Sequence, residues 1–170
     1  LGDITLRALW ILALADVVAA EDTRETRKLL DKFGISVKLL SVREHNERHG
    51  AEQIIELLQE GKKVTLVTDA GTPCVSDPGA RAVKAVREAG FRVIPVPGAS
   101  AVVTALSGAG LDGSGFTFVG FVPPQSKARR NALAYWLARP EPFVLYEAPH
   151  RVVDLLEDLA AAMEPERRVV

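Results

Sequence analysis

The pattern of hydrophobic and polar positions divides the chain into short alternating helices and strands. Apolar residues recur at helical spacing in four early segments: 4–15, 23–33, 51–60 and 79–89. Shorter apolar runs of strand length follow them along the chain: 17–20, 37–42, 64–68 and 92–96. No hairpin signal joins consecutive strands, so the pattern predicts an α/β unit with a mostly parallel sheet and right-handed crossovers.

A glycine-rich stretch marks the predicted domain boundary. Residues 108–115 hold four glycines among eight residues, directly after a predicted helix of small residues that ends near Ser107. We therefore predict an N-terminal α/β domain over 1–111 and the start of a second α/β domain over 112–170. The elements predicted in the second domain are strands at 116–122 and 143–147, helices at 127–138 and 151–163, and a strand that begins at 167–170. We expect a fragment of a longer chain that lacks both ends.

Composition and charge narrow the class of protein. The chain has 48% hydrophobic and 25% charged residues, which is ordinary for a soluble protein, and its formal net charge is −1. This charge excludes a surface that is cationic all over, so a nucleic acid would need a local basic patch. The single cysteine, Cys74, excludes an internal disulfide and fits a reducing cytoplasm. The chain has no Cys/His cluster at metal spacing and no apolar run of membrane-spanning length, so we expect neither a metal nor a membrane partner.

Polar and turn-forming residues follow the predicted strands. In a parallel sheet, ligands bind at the carboxyl ends of the strands, where loops and helix N-termini meet. Six strand ends carry glycine, proline or polar side chains: 21–22, 44–46, 69–73, 97–100, 123–126 and 147–150. Any one of these could be an ordinary turn. Because all six would lie on one rim, we interpret the rim as a ligand site.

The loop after the third strand is longer than a strand-to-helix connection requires. Its sequence over residues 67–79 is VTDAGTPCVSDPG, which matches neither a P-loop nor the G-x-G-x-x-G fingerprint. Gly71 permits close backbone approach to a ligand, and Pro73 stiffens the turn. These residues indicate a wall of a binding site, although Asp69 could simply cap a turn.

Four motifs, in order along the chain, resemble a known family. They are AEDTR at 20–24, VTDAGTPCVSDPG at 67–79, VPGASA at 96–101 and YEAPHR at 146–151. With them the chain resembles the tetrapyrrole methylase superfamily over its whole length, and within it the bacterial ribosomal small-subunit RNA methyltransferase I family. The resemblance implies a two-domain class III methyltransferase fold, here without its first strand and with the second α/β domain truncated. It also implies a homodimer that binds S-adenosyl-L-methionine between its two domains and methylates the 2′-hydroxyl of a cytidine in small-subunit (16S) ribosomal RNA.

The resemblance further implies a set of cofactor contacts. They fall on the loop after the third strand, on the turn before the small-residue helix and on the last strand end: Asp69, Ala70, Gly71, Thr72, Val75, Ser100, Ala101 and Glu147. Most of the superfamily has an acidic residue where Thr72 stands, so we expect a backbone or hydroxyl contact there.

A methyl transfer to a ribose hydroxyl needs help from a base, because the hydroxyl is a poor nucleophile until its proton is lost or shared. The candidates on the rim are Glu21, Asp22, Glu44, His45, Glu147 and His150. We select Glu21, Asp22 and His45 as catalytic candidates. The two acids could instead cap the helix that follows them, and the histidine could be an ordinary surface residue.

Two basic patches could hold RNA phosphates without reading the base sequence. One patch holds Arg24 and Arg27, and the other holds Lys127, Arg129 and Arg130. Either patch could instead be a solvated helix face. The expected partner is small-subunit ribosomal RNA or the assembled small ribosomal subunit. Two alternatives stay open: a superfamily methyltransferase that acts on a small molecule such as a tetrapyrrole, and a nucleotide-binding module without catalysis.

Overall fold

The computed structural model describes residues 2–111 and 115–170, and the chain divides into two compact units, Leu1–Ala101 and Val102–Val170. Each unit has its own parallel strands and its own apolar core. The boundary predicted between residues 111 and 112 adjoins residues 112–114, which lie outside the described residues. The position of the domain boundary therefore stays a prediction.

The first unit alternates helices and strands around a three-stranded parallel sheet. Its elements are α1 Leu6–Leu14, β1 Val17–Ala20, α2 Thr23–Lys32, β2 Lys38–Ser41, a 3₁₀ turn Glu44–Asn46, α3 Glu47–Gln59, β3 Val64–Val67 and α4 Ala80–Glu88. The strand order is β2-β1-β3, and Ala20 at the end of β1 pairs with Ser41 and Val67. The carboxyl ends of all three strands therefore meet at one edge. The predicted α/β class with a parallel sheet is confirmed.

The central strand β1 is buried on both faces, as is usual in parallel sheets covered by helices. Its four residues are 0–3% exposed. Val18 lies in one apolar cluster with Leu12 of α1 and Leu30 of α2. Its neighbour Ala19 lies in the cluster that holds Ile54 of α3. Successive side chains thus point to opposite layers of helices, which hold the strand ends in place.

Helix α3 begins four residues earlier than the predicted helix at 51–60. Asn46 turns the chain sharply before it, because its Oδ1 accepts the Arg43 N–H at 2.6 Å and its Nδ2 donates to Ser41 O at 3.2 Å. The first turn of the helix then buries Glu47 and Gly50. The apolar pattern missed this turn because neither buried residue is apolar.

The strand predicted at 92–96 is wrong: these residues form no helix or strand, although Phe91 and Val93 pack against the core. Pro95 and Pro97 lack the N–H groups that a ladder needs, so the segment can bury side chains without pairing its backbone. The apolar pattern reported the burial correctly and the hydrogen bonding incorrectly.

The second unit consists of two parallel strands with three helices: α5 Ala101–Ala109, whose first residue belongs to the first unit, β4 Thr117–Phe121, α6 Ser126–Leu137, β5 Phe143–Tyr146 and α7 Val152–Ala162. Its core contains Val122, Leu133 of α6, and Leu155 and Leu159 of α7. Residues 167–170, where the pattern predicted the start of a strand, adopt neither helix nor strand.

None of the helices in the described part of the chain is both long enough and apolar enough to cross a membrane.

Candidate functional site

Hydrogen bonds join the carboxyl ends of β1 and β3. Glu21 and Asp22 follow β1, and Thr68 and Asp69 follow β3. The Thr68 hydroxyl donates to Glu21 Oε2 at 2.7 Å, and the Asp69 N–H donates to the same oxygen at 3.3 Å. In return, Asp69 Oδ1 accepts the Asp22 N–H at 3.0 Å. Two of the residues chosen as catalytic candidates and one chosen as a cofactor contact thus belong to one cluster, which we call the strand-end cluster.

Asp22 is the N-cap of α2. Its Oδ1 accepts the Arg24 N–H at 2.8 Å, and its carboxylate pairs with the Arg24 guanidinium at 2.5 Å. The side-chain and then the backbone hydrogen bonds from Arg24 hold the pKa of Asp22 well below its usual range. A carboxylate with so low a pKa, and with its oxygens already engaged, is a poor proton acceptor. The capping alternative therefore describes the observed role of Asp22.

Asp77 lies beside the strand-end cluster, and sequence reasoning missed it. Burial raises the pKa of its carboxyl, the negative charge of Glu21 raises it further, and a hydrogen bond with Thr68 opposes the shift. Asp77 therefore lies close to both Thr68 and the carboxylate of Glu21. No local pattern signals this contact, because Asp77 reaches the cluster only when the loop folds back toward β3.

The loop between β3 and α4 turns sharply at residues with left-handed backbone. Its φ angles are positive at Gly71 (76°), Cys74 (71°), Ser76 (60°) and Gly79 (121°). Positive φ costs free energy at residues other than glycine, so hydrogen bonds and packing must hold the loop in this shape. One such constraint is internal, since the Cys74 N–H donates to Pro78 O at 3.4 Å.

This loop also contacts the turn at residues 97–100. The Thr72 hydroxyl in the loop donates to Ala99 O at 3.5 Å. The same turn is held on another side by Thr5, the N-cap of α1, whose hydroxyl donates to Pro97 O at 3.4 Å. Within the first unit, the two segments that the resemblance assigns to the cofactor are therefore neighbours.

The side chain of Glu47 anchors the end of the loop. It is 6% exposed, and its Oε1 accepts the N–H groups of Gly79 at 2.9 Å, Arg81 at 2.8 Å and Ala82 at 3.2 Å. The first turn of a helix leaves these donors without partners, and a negative charge is stabilised there. Sequence reasoning missed this contact because the partners lie 32 to 35 residues further along the chain.

Replacing Gly79 by Ala is expected to lower the free energy of unfolding by about 2–4 kcal/mol. Its φ is one that L-residues rarely adopt, and an added Cβ would lie 2.9 Å from Leu66 Cδ2 and 3.2 Å from Cys74 Sγ. Urea denaturation measures the change. Gly90→Ala is the matched control, since Gly90 also has positive φ but its Cβ would meet none of the described residues within 4 Å. We expect a loss of about 1 kcal/mol there. Equal losses in the two variants would contradict the importance of the Leu66 and Cys74 contacts.

A cavity of about 340 Å³ lies beside the strand-end cluster, between α2 and the end of β3. Its wall includes Glu25, Thr26 and Leu29 of α2, and Val67, Thr68 and Asp69 at the end of β3. Across residues 2–111 and 115–170, no group of three or more His, Cys, Asp or Glu residues could hold a metal ion.

The other candidates in the first unit lie nearer the surface. His45 is exposed in the 3₁₀ turn, and Arg43 before it donates its Nε to Glu21 O at 3.2 Å. Arg24 is exposed and paired with Asp22, as described above, while Arg27 donates to Val37 O at 3.3 Å. The end of β2 therefore joins the end of β1 through Arg43 rather than through the predicted histidine.

Glu147 lies in the second unit, immediately after β5. Its side chain is 3% exposed, and its Oε1 accepts the Ala148 N–H at 2.7 Å and pairs with Arg151 Nη2 at 2.5 Å. Among the described residues, the other carboxylate oxygen and Arg151 Nε are buried without a hydrogen-bond partner. The charge of Glu147 is therefore balanced within its own unit.

The basic patch predicted on α6 separates into buried and exposed residues. Arg129 is 5% exposed, and its guanidinium donates to Asp158 Oδ2 at 2.7 Å and to Pro124 O at 3.3 Å. Lys127 and Arg130 are exposed. Arg129 therefore connects α6 to α7, and its burial conflicts with the RNA contact predicted for it.

Fold and site together define an α/β protein of the kind that binds a ligand at the carboxyl ends of parallel strands. The strand-end cluster, the loop between β3 and α4 and the turn at residues 97–100 supply carboxylates, a hydroxyl and exposed backbone at one edge of the sheet. The chain matches the family described as Tetrapyrrole (Corrin/Porphyrin) Methylases over residues 1–170, and it belongs to that family. The predicted family is confirmed.

Two relatives with high identity carry the name ribosomal RNA small subunit methyltransferase I. The protein of that name from Neisseria meningitidis serogroup B is 55% identical over 170 residues, which are 100% of this chain and 58% of the relative. The one from Escherichia coli O157:H7 is 49% identical, over 100% of this chain and 59% of the relative. The chain thus spans about three fifths of the length of these two relatives.

Solved structures support the fold assignment. The crystal structure of the methyltransferase CobJ superposes with a TM-score of 0.68 at 20% identity, over 98% of this chain and 73% of that one. The uroporphyrin-III-C-methyltransferase from Thermus thermophilus superposes with a TM-score of 0.57 at 25% identity, over 97% and 68% of the two chains. The class III methyltransferase fold predicted from the motifs is confirmed.

Proposed function

We propose that this chain is part of an S-adenosyl-L-methionine-dependent methyltransferase that methylates the 2′-hydroxyl of a cytidine in small-subunit ribosomal RNA. The observation that carries the proposal is that the strand-end cluster and the loop between β3 and α4 lie at the same edge of the sheet. Its support is the 49–55% identity of the whole chain to proteins named ribosomal RNA small subunit methyltransferase I. The assembled small subunit as substrate, a homodimer and a cytoplasmic location belong to the same proposal.

The cofactor contacts are assigned to the loop after β3 and the turn before α5. Gly71 is exposed with φ +76°, and of the atoms that the structure describes a Cβ there would meet only Asp77 Oδ2, at 3.8 Å, so its backbone is open to a ligand. The hydrogen bond from Thr72 to Ala99 holds the two segments together. These residues fit a nucleoside, which needs exposed backbone donors and acceptors more than charge. The remaining contacts keep their assignment: Asp69, Ala70, Val75, Ser100, Ala101 and Glu147.

Among the catalytic candidates, Glu21 fits the role of base best. S-adenosylmethionine supplies a methyl group on a positively charged sulfur, and transfer requires the acceptor oxygen to be held in line with it. Glu21 Oε2 accepts hydrogen bonds from the Thr68 hydroxyl and the Asp69 N–H, whereas no group among the described residues donates to its Oε1, which is the oxygen that would accept the proton of a ribose hydroxyl. Asp22 is occupied by α2 and Arg24, so we assign it to positioning the cluster. His45, exposed in the turn after β2, remains the second candidate for the base.

RNA contacts are assigned to the exposed cations Arg24, Lys127 and Arg130, with Arg27 as a partly buried neighbour. Each would contact phosphates, which position an RNA without specifying its sequence. Arg129 is left out because its charge is balanced by Asp158 inside the second unit.

The direct test is methyl transfer by the purified protein from labelled S-adenosylmethionine. We expect label on small ribosomal subunits, at the 2′-hydroxyl of a cytidine after digestion to nucleosides. Transfer to a free tetrapyrrole instead would favour the small-molecule alternative. Cofactor binding without transfer to either acceptor would favour the non-catalytic alternative.

Replacing Asp69 by Ala is expected to weaken S-adenosylmethionine binding about tenfold, which corresponds to about 1.4 kcal/mol. The substitution removes the oxygen that accepts the Asp22 N–H at 3.0 Å, so the ends of β1 and β3 lose one of their links. Calorimetric titration with the cofactor measures the dissociation constant. Asp31→Ala, at an exposed position near the other end of α2, is the matched control and should leave it unchanged. Unchanged affinity in the Asp69 variant would refute this assignment.

A further inference from the structure

The exposed face of α6 carries a stripe of polar and aromatic side chains four residues apart. Lys127, Asn131, Tyr135 and Arg139 are all exposed, and Arg139 follows directly after the helix C-cap. Side chains at this spacing lie along one face of a helix, so the stripe extends over about 18 Å. We call these four residues the α6 stripe.

The segment that carries the α6 stripe is basic. Residues 123–139 contain four Lys or Arg and no Asp or Glu. One of the four cations, Arg129, is neutralised by Asp158, which also lies 3.7 Å from Arg130. The cations of the stripe itself stand at its two ends and flank the tyrosine. Arg167 adds a further cation nearby, since its Nη1 donates to Arg139 O at 2.9 Å.

Tyr135 and Arg139 form a stacked pair at the surface. The Arg139 guanidinium carbon lies 4.4 Å from the centroid of the Tyr135 ring and 5.1 Å from that of Trp136, and the guanidinium also donates to the Tyr135 hydroxyl. Trp136 meets the Tyr135 ring edge-on, with centroids 4.9 Å apart. These contacts restrict the motion of the ring, yet Tyr135 remains 55% exposed. An ordered aromatic ring that is more than half exposed, beside cations, is suited to stacking with an unpaired base.

We propose that the α6 stripe binds single-stranded RNA, with a base stacked on Tyr135 and phosphates held by Lys127 and Arg139. The inference rests on the proposed function and extends it, because it assigns an RNA surface to residues that the motifs do not cover. RNA is favoured over a protein partner because the four positions combine two cations with an exposed aromatic ring that can stack on an unpaired base. None of the four positions is acidic. Lysine is depleted in protein–protein interfaces, whereas Lys127 is one of the four residues of the stripe.

The test is the affinity of the purified protein for a fluorescein-labelled 12-nucleotide single-stranded RNA, measured by anisotropy across a range of salt concentrations. Tyr135→Leu is expected to weaken binding about tenfold, because it keeps an apolar side chain but removes the ring. Tyr135→Phe, which keeps the ring, should bind within about twofold of the unchanged protein. Arg139→Gln should weaken binding and reduce the slope of log affinity against log salt by about one.

Two controls separate this surface from general effects. Phe121→Leu changes another exposed aromatic residue of the second unit, which is 52% exposed, and Arg87→Gln removes an exposed cation from α4. Both should bind RNA as the unchanged protein does. The proposal is overturned if Tyr135→Leu binds normally, if Phe121→Leu loses as much affinity, or if the unchanged protein does not bind the RNA. Methyl transfer to small ribosomal subunits, measured in parallel, reports separately on the proposed function. If Tyr135→Leu transfers methyl groups with an unaltered KM for small subunits, RNA binding by the α6 stripe is refuted while the proposed function stands.

Discussion

Replacing Arg129 by Met is expected to lower the free energy of unfolding of the second unit by about 3–5 kcal/mol. The substitution keeps most of the volume of the side chain but leaves Asp158, whose side chain is 13% exposed, without the guanidinium at 2.7 Å. The carboxylate that remains is costly because it has lost water and keeps only the more distant, largely exposed Arg130 guanidinium at 3.7 Å. Urea denaturation followed by circular dichroism measures the loss.

Two further variants decide whether the loss comes from the buried ion pair. Arg130→Gln removes a cation that is 58% exposed and 3.7 Å from the same carboxylate, so we expect a change of less than about 1 kcal/mol. The double variant Arg129→Met with Asp158→Asn removes both charges and should recover most of the stability. If the double variant folds and binds RNA normally, Arg129 has no direct RNA contact. A loss of RNA affinity in this folded variant would restore the contact predicted from the sequence.

Replacing Glu47 by Ala is expected to lower the free energy of unfolding by about 2–4 kcal/mol, because three backbone N–H groups lose their acceptor in the interior. Gly79 and Ala82, which carry two of these groups, are themselves buried. Glu47→Gln keeps an acceptor oxygen but loses the charge at the helix N-terminus, so we expect about half the loss. Thermal and urea unfolding provide the measurements.

The matched control for Glu47 is Glu52→Ala on the same helix. Glu52 is 57% exposed and pairs with Arg48 and His49, at 3.5 and 3.6 Å, so its removal should change stability by less than about 0.5 kcal/mol. If the variants at the two positions lose equal stability, the capping of α4 by Glu47 contributes little. If Glu47→Ala also weakens cofactor binding at temperatures where it is fully folded, the loop after β3 depends on this anchor.

The sequence predicted the helices and strands well where burial of apolar side chains decides the structure. The run Val17–Ala20 is buried on both faces, and its apolar character identified it with the correct bounds. The same reasoning failed at residues 92–96, where Val93 is partly buried but Pro95 interrupts the donors of a ladder. Apolar pattern reports which side chains leave water, and it does not report which backbone groups pair.

The predictions for polar residues also succeeded at some positions and failed at others. The strand-end rule placed Glu21, Asp22 and Asp69 at one edge, and the structure brings them into hydrogen-bond contact. Spacing on a helix made Arg129 look like a neighbour of Lys127 and Arg130. Only the packing of α7 against α6 decided that this arginine points inward to Asp158.

The sequence by itself determined the α/β class, the parallel sheet, the family and the segments that carry the candidate site. Tertiary structure alone decided that Glu47 caps α4, that Asp77 approaches Thr68 and that Arg129 is buried. The physical reason is the distance over which each kind of information acts. Helical and strand periodicity depends on a few neighbouring residues, whereas a buried carboxylate or guanidinium takes partners that are tens of residues away and meet it only through the path of the whole chain.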